Sequence, residues 1–156
     1  MLADAHIQRA FMLASGQPVP DFLEVYGRPL RPLTKLYYTL CTEELDEIRQ
    51  VLSGIESKDP ADQALNLEEL TDLCDGAIDL LYVTLGLLNS LGVPPKITSE
   101  LFDEVHKSNM SKIPASGEIK RREDGKIEKP ETYFKPDLGA ILLQLLCEVK
   151  KDVKTD

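Results

Sequence analysis

Soft metal ligands are scarce in this sequence. Its 156 residues include two histidines, His6 and His106, and three cysteines, Cys41, Cys74 and Cys147. The cysteines stand alone, with no C-x-x-C spacing, so they form no zinc motif and suit a reducing, cytoplasmic setting. Basic residues are also in deficit, 18 against 27 acids, for a net charge of −9. Sequence-independent nucleic-acid binding needs a basic face, and this balance argues against it. No apolar run approaches the ~20 residues that span a bilayer. The start, Met1-Leu2-Ala3-Asp4-Ala5-His6, lacks the basic residue and apolar stretch of a secretory signal. Strand patterns are weak, and there is no internal repeat or low-complexity tract. What remains is ordinary for a folded chain: 42% apolar and 29% charged residues, at a length that fits one domain over residues 1–156.

The charge is unevenly spread. Residues 41–104 carry 15 acids against Arg49, Lys58 and Lys96, whereas residues 105–135 carry eight bases against five acids. An acidic middle followed by a basic segment is either solvated surface or a cation site beside an anion site.

Most long segments carry helical periodicity. Ile7, Ala10, Phe11 and Ala14 share one face of a first helix over 3–14. A second helix is expected over 32–52, with Leu36, Leu40, Ile48, Val51 and Leu52 along one side and Gly54 at its end. Asn66 and Glu69 have the form of a capping box at the start of a third, long helix that Gly92 and Pro94-Pro95 end, although Asp59-Pro60 offers an earlier start. Thr98 is the expected N-cap of a fourth helix over 99–109. Residues 111–135 read as an irregular basic excursion, with a short hairpin around Asp124-Gly125, and Pro136-Asp137 opens a last helix. The expected fold is an all-α bundle with two long antiparallel core helices. Leu85, Leu87, Leu88 and Leu91, with Ile141, Leu142, Leu145 and Leu146, exceed what one small bundle readily covers, which predicts a dimer or tetramer.

The third helix puts charge where a core stripe is expected. Glu68, Asp72, Asp75 and Asp79 fall at i, i+4, i+7 and i+11, within an arc of about 60°. Asp75 and Asp79 lie in a strongly apolar stretch, and Glu44 and Glu47 on the second helix continue the line of Leu36 and Leu40. Clustered like charges need raised pKa values or a cation. All-oxygen clusters select hard cations, Mg²⁺ or Mn²⁺. A stripe of acids is also what a solvated helix face carries, and periodicity alone leaves the two readings side by side.

Glu43-Glu44-Leu45-Asp46-Glu47, followed by Asp72-Leu73-Cys74-Asp75-Gly76-Ala77-Ile78-Asp79, resembles the E-E-x-x-E and E-x-x-D motifs of the all-α nucleoside triphosphate pyrophosphohydrolases. These are the MazG-like proteins, grouped with dimeric dUTPases and phosphoribosyl-ATP pyrophosphohydrolase. The downstream Val105-His106-Lys107-Ser108-Asn109-Met110-Ser111-Lys112, and the later Asp124-Gly125-Lys126 and Tyr133-Phe134-Lys135-Pro136-Asp137, extend the resemblance over nearly the whole chain. Two positions depart from the pattern. Thr39 stands where an Arg often precedes the first motif, and Gly76 replaces a Glu. The register of the second motif is therefore Asp72/Asp75 or Asp75/Asp79.

The resemblance implies hydrolysis of a nucleoside triphosphate, with a deoxynucleotide expected, to the monophosphate and pyrophosphate. It implies Mg²⁺ or Mn²⁺ held among Glu44, Glu47, Asp72, Asp75 and Asp79, with Glu43 or a neighbour acting on the attacking water. Lys107, Lys112, Lys126 and Lys129 are the expected phosphate contacts, Arg121 and Arg122 weaker ones. Asn109 is expected to fix the nucleotide or cap its helix, and Tyr82, Phe11 or Tyr133 to stack on a base. It also implies a homodimer or homotetramer, in which the basic segment closes over a neighbour's metal site. Two other readings compete: a related hydrolase of a nucleoside diphosphate or phosphoribosyl nucleotide, and a helical module that binds nucleotide without turnover.

Overall fold

A computed structural model describes residues 2–152; Met1 and residues 153–156 lie outside the described residues. Six α-helices follow in order: α1 Leu2–Ala14, α2 Phe22–Val25, α3 Pro32–Glu56, α4 Leu67–Ser90, α5 Pro95–Met110 and α6 Leu138–Asp152. The chain is all-α, and no strand occurs among the described residues. No single helix among them is long and apolar enough to cross a membrane. Two compact units divide the chain, Met1–Pro95 and Lys96–Asp156.

The first unit is built on α3 and α4, with α1 packed on α4. Asn66 caps α4 as its sequence predicts: its side chain accepts from the Glu69 amide at 2.9 Å, and the Glu69 carboxylate accepts from the Asn66 amide at 3.1 Å. Lys58 closes the corner with an ion pair to Glu69, which holds that carboxyl below its ordinary range. The earlier start at Asp59-Pro60 becomes only a 3-10 turn, Pro60–Asp62. At the far end Gly92 takes a left-handed φ of +72°. The Gly92 and Val93 amides then donate to the carbonyls of Asn89 and Leu88, which stops the helix.

Met12, Tyr37 and Val83 form the buried centre of this unit, with Leu33, Leu40 and Leu87 packed around them. A polar chain runs through it. Asn89 donates to Gln8 at 2.6 Å, Gln8 donates to the Tyr37 hydroxyl at 3.1 Å, and Tyr37 donates to Gln17 at 2.7 Å. Burial pushes the Tyr37 phenol up. No buried side-chain polar atom among the described residues lacks a partner, as a core of this density requires. Gly86 makes the arrangement possible: a Cβ there would lie 2.0 Å from Tyr37 Cε1 and 2.6 Å from Gln8 Nε2.

In the second unit, Ile97, Leu145 and Leu146 are buried. Asp137 accepts from the Ala140 amide at 3.0 Å and starts α6. The excursion between α5 and α6 contains one isolated antiparallel bridge, Arg121 to Ile127, turned by Gly125 at φ +79°.

Several local expectations are corrected. Gly54 does not end α3, which runs on to Glu56. Thr98 is not an N-cap. It is buried inside α5, which begins at Pro95 because proline fits the first helical turn. The short α2 was not expected, although Glu24 accepts from the Asp21 amide at 2.9 Å in the same box pattern as Asn66 and Glu69. The apolar excess also lies elsewhere. Leu85, Leu145 and Leu146 are buried, and Leu87, Leu88, Leu91, Ile141 and Leu142 are half-buried. Exposed apolar side chains are spread over the helices instead, among them Ile7 and Phe11 on α1, Leu36 and Leu52 on α3, Ile78 and Leu81 on α4 and Leu143 on α6.

Candidate active site

The acidic residues flank a close approach of α3 and α4 at Gly76. A Cβ on Gly76 would lie 2.8 Å from Ile48 Cγ1 and 3.9 Å from the Glu44 carbonyl oxygen. The residue that departs from the acidic pattern is thus the contact that lets α4 approach α3. One residue before it is Asp75 and one turn after it is Asp79, facing the stretch of α3 that carries Glu43, Glu44 and Glu47.

Glu44 records the result. Its carboxyl is raised above its ordinary value, first by desolvation and then by the negative charges of Glu47, Asp79, Glu43 and Asp75. Four carboxylates from two helices act on one. None of these five has a Lys or Arg ion-pair partner among the described residues; the nearby Asp46 takes Arg49 at 2.9 Å. Asp72 is not among the charges that raise Glu44. The charges that act on Glu44 are thus those of Glu43, Glu47, Asp75 and Asp79.

The expectation that this stripe occupies the buried face is corrected. Asp72, Asp75 and Asp79 are exposed, and so is Ile78 between them. The buried positions of this half of α4 begin at Gly76 and continue at Val83. Unpaired carboxylates stay hydrated because burying bare charge is costly. No three His, Cys, Asp or Glu side chains among the described residues are close enough to hold a metal ion as they stand. The donor set nevertheless fits a hard cation: all oxygen, strongly negative and without a basic partner. A cation entering here has to draw the exposed side chains inward.

A stability test follows from Glu44. Its folded-state pKa is raised, so its ionised form destabilises the fold at pH 7, and that penalty disappears as pH falls below the ordinary value of 4.5. Glu44→Gln is expected to raise the melting temperature of metal-free protein slightly at pH 7, with the gain vanishing near pH 4. An equal gain at both pH values in thermal melts with EDTA would show that the carboxylates do not interact.

The other predicted contacts are described with their own elements. Tyr82 is half-buried on α4, its ring edge-on to Phe11 at 6.0 Å between centroids. Thr39 turns its hydroxyl back to the Lys35 carbonyl, 3.1 Å away, and offers no cationic group. In the second unit, His106 is exposed, and Lys107 is exposed 3.9 Å from Glu104. Asn109, in the last turn of α5, accepts from Lys112 Nζ at 2.7 Å. Lys126 lies 3.6 Å from Asp124. Lys129 and Lys112 approach the Tyr133 ring, at 4.6 and 5.9 Å from its centroid. Tyr133 is half-buried and contacts two lysines, a pairing that sequence spacing does not reveal.

The profile of the phosphoribosyl-ATP pyrophosphohydrolase family matches residues 19–109, more than half of the chain. The chain belongs to the phosphoribosyl-ATP pyrophosphohydrolase family. No curated protein sequence matches it. The family match agrees with the resemblance read from the acidic motifs, and it fixes the chain as an all-α nucleotide pyrophosphohydrolase. The matched segment runs from α2 to the last turn of α5. It takes in both acidic motifs, Lys107 and Asn109, and stops short of Lys112, Lys126 and Lys129.

Proposed function

We propose that this phosphoribosyl-ATP pyrophosphohydrolase family member hydrolyses a deoxynucleoside triphosphate to its monophosphate and pyrophosphate in the cytoplasm. Residues 1–156 would serve as one catalytic domain. The observation that carries this reading is the packing of α3, with Glu43, Glu44 and Glu47, against α4, with Asp75 and Asp79, none of them in an ion pair with Lys or Arg among the described residues. Glu44, Glu47, Asp75 and Asp79 would hold Mg²⁺ or Mn²⁺, in the Asp75/Asp79 register, with Asp72 as an outer carboxylate. The chemistry such a metal would supply is neutralisation of the triphosphate, polarisation of phosphorus and a more acidic water. Glu43 orients the attacking water and accepts its proton. Lys112 and Lys129 hold outer phosphates as point charges, with Lys107 and Lys126 behind them. Asn109 offers a donor and an acceptor to the nucleotide. Tyr82 offers a base its exposed edge.

A phosphoribosyl nucleotide is the second reading, favoured by the family's own description. Both readings break a bond that releases pyrophosphate. A screen of all common deoxynucleoside and nucleoside triphosphates, with phosphoribosyl-ATP alongside, separates them when each is tested with Mg²⁺ and Mn²⁺. The deoxynucleotide reading expects its highest kcat/KM on a deoxynucleoside triphosphate; a clear preference for phosphoribosyl-ATP overturns it.

Lys112→Ala is expected to lower kcat/KM by one to two orders of magnitude, about 1.4–2.8 kcal/mol. Metal binding without nucleotide should hardly change. An unchanged kcat/KM at low salt, where a charge contact is strongest, would make Lys112 a solvated lysine.

The exposed apolar side chains of α1 and α4, with a groove of about 250 Å³ lined by Ile7, Ile78, Leu81 and Tyr82, support assembly into a homodimer or homotetramer. Light scattering should give a mass of two or four 17.4 kDa chains, and a monomer at micromolar concentration would count against it.

A further inference from the structure

The excursion between α5 and α6 holds two adjoining pockets of about 440 Å³ each. They share Lys112 and Lys129 but differ in charge. The first is mixed, with Glu118, Glu128 and Glu131 opposing Lys112, Lys120 and Lys129. The second is lined by Lys112, Arg121, Arg122, Lys126 and Lys129, with Asn109 beside them and no acid in its wall.

The cations of the second pocket are held in place. Arg121 donates to the Gly125 carbonyl at 2.9 Å across the turn, which fixes the guanidinium and leaves its other N–H groups free to bind. Lys112 is tied to Asn109 at 2.7 Å, and Lys129 rests against the Tyr133 ring. Arg122 and Lys126 share a single carboxylate, Asp124, at 3.0 and 3.6 Å. Asp124 pairs two of the five cations, and the carboxylates beside Lys112 and Lys129 line the adjoining pocket, not this one. Positive charge gathered on a short turn repels itself, and an anion relieves it. A compact anion with two phosphate groups matches fixed donors spread over both sides of the turn better than one phosphate does.

We propose that this pocket is a pyrophosphate site that works without divalent metal, with Arg121 and Lys129 as its principal ligands and Tyr133 as a positioning residue for Lys129. The proposal rests on the reading that the reaction releases pyrophosphate, and it adds that the outer-phosphate lysines, with Arg121, retain this product without metal. Pyrophosphate should then inhibit turnover by competing for the outer-phosphate contacts.

Calorimetry on the full chain in EDTA at low salt tests this, with inorganic pyrophosphate as the titrant and orthophosphate as comparator. Pyrophosphate should bind one site per chain, at least about tenfold more tightly than orthophosphate. Lys129→Ala and Arg121→Ala should each weaken it about tenfold, or ~1.4 kcal/mol. Lys129→Arg should restore most of the affinity, and Lys96→Ala, outside the pocket, should leave it unchanged. No binding without metal, equal affinity for the two anions, or full affinity in both alanine variants overturns the proposal. So does displacement of pyrophosphate by a single-stranded oligonucleotide at equal phosphate concentration. Asp75→Asn separates the two claims. It should lose turnover and keep pyrophosphate binding in EDTA, so a failed pocket and a failed catalytic reading give different results.

Discussion

Asp75→Asn and Glu47→Gln are each expected to reduce nucleotide turnover by at least three orders of magnitude, about 4 kcal/mol of transition-state stabilisation. Each change removes one formal charge and keeps the side-chain volume. Asp75 is exposed beside Gly76, and Glu47 is exposed one turn along α3 from Glu43, so neither supports the core. Circular dichroism and melting temperature should stay close to those of the parent, and the metal-free variants should gain slightly as like-charge repulsion falls. The combination distinguishes a catalytic carboxylate from a structural one. If either variant keeps near-parental kcat at saturating Mg²⁺, the metal site lies elsewhere.

Gly86→Ala is expected to produce the largest loss of stability. The added methyl would overlap Tyr37 at 2.0 and 2.5 Å and Gln8 at 2.6 Å. All three residues are buried between α1, α3 and α4, so the ring has no open space to enter. Overpacking of this kind costs about 1–3 kcal/mol, occasionally more. Shifting Tyr37 or Gln8 also breaks the chain of hydrogen bonds to Gln17 and Asn89, at about 1–3 kcal/mol for each buried group left unpaired. The better helix propensity of alanine returns only about 1 kcal/mol. The net expectation is a loss of about 3 kcal/mol, a fall in melting temperature of roughly 6–12 °C at this chain length. A melting temperature within about 1 °C of the parent would contradict the packing described.

The helices were largely legible because their signals are local. Asn66 and Glu69 announce the start of α4, Gly92 announces its end, and periodicity outlines α1, α3 and α6. The short α2 carried the same kind of box at Asp21 and Glu24, but four residues are too few for periodicity to register. Thr98 misled because a threonine before a helical pattern looks like a cap. Proline at position 95 had already begun the helix.

The candidate site was legible in composition but not in depth. Spacing placed Glu44, Glu47, Asp75 and Asp79 on two helices, α3 and α4, which pack together. It did not show that Asp72, Asp75 and Asp79 stay exposed, because burial depends on which neighbours arrive. Gly76 and Gly86 show the same limit. A glycine inside a helix reads as a weakness until the partner side chain, Ile48 or Tyr37, is seen occupying its missing Cβ. Tyr133 read as a base-stacking ring until Lys112 and Lys129 were found against it.

The central claim is that the bond broken lies between the α and β phosphorus atoms of a nucleotide. Phosphorus NMR of the products from a deoxynucleoside triphosphate, incubated with the full chain and Mg²⁺, tests it most directly. The account predicts monophosphate and pyrophosphate in equal amounts, and no orthophosphate. Orthophosphate with nucleoside diphosphate, or an unconsumed triphosphate in the presence of Mg²⁺ and Mn²⁺, would contradict it.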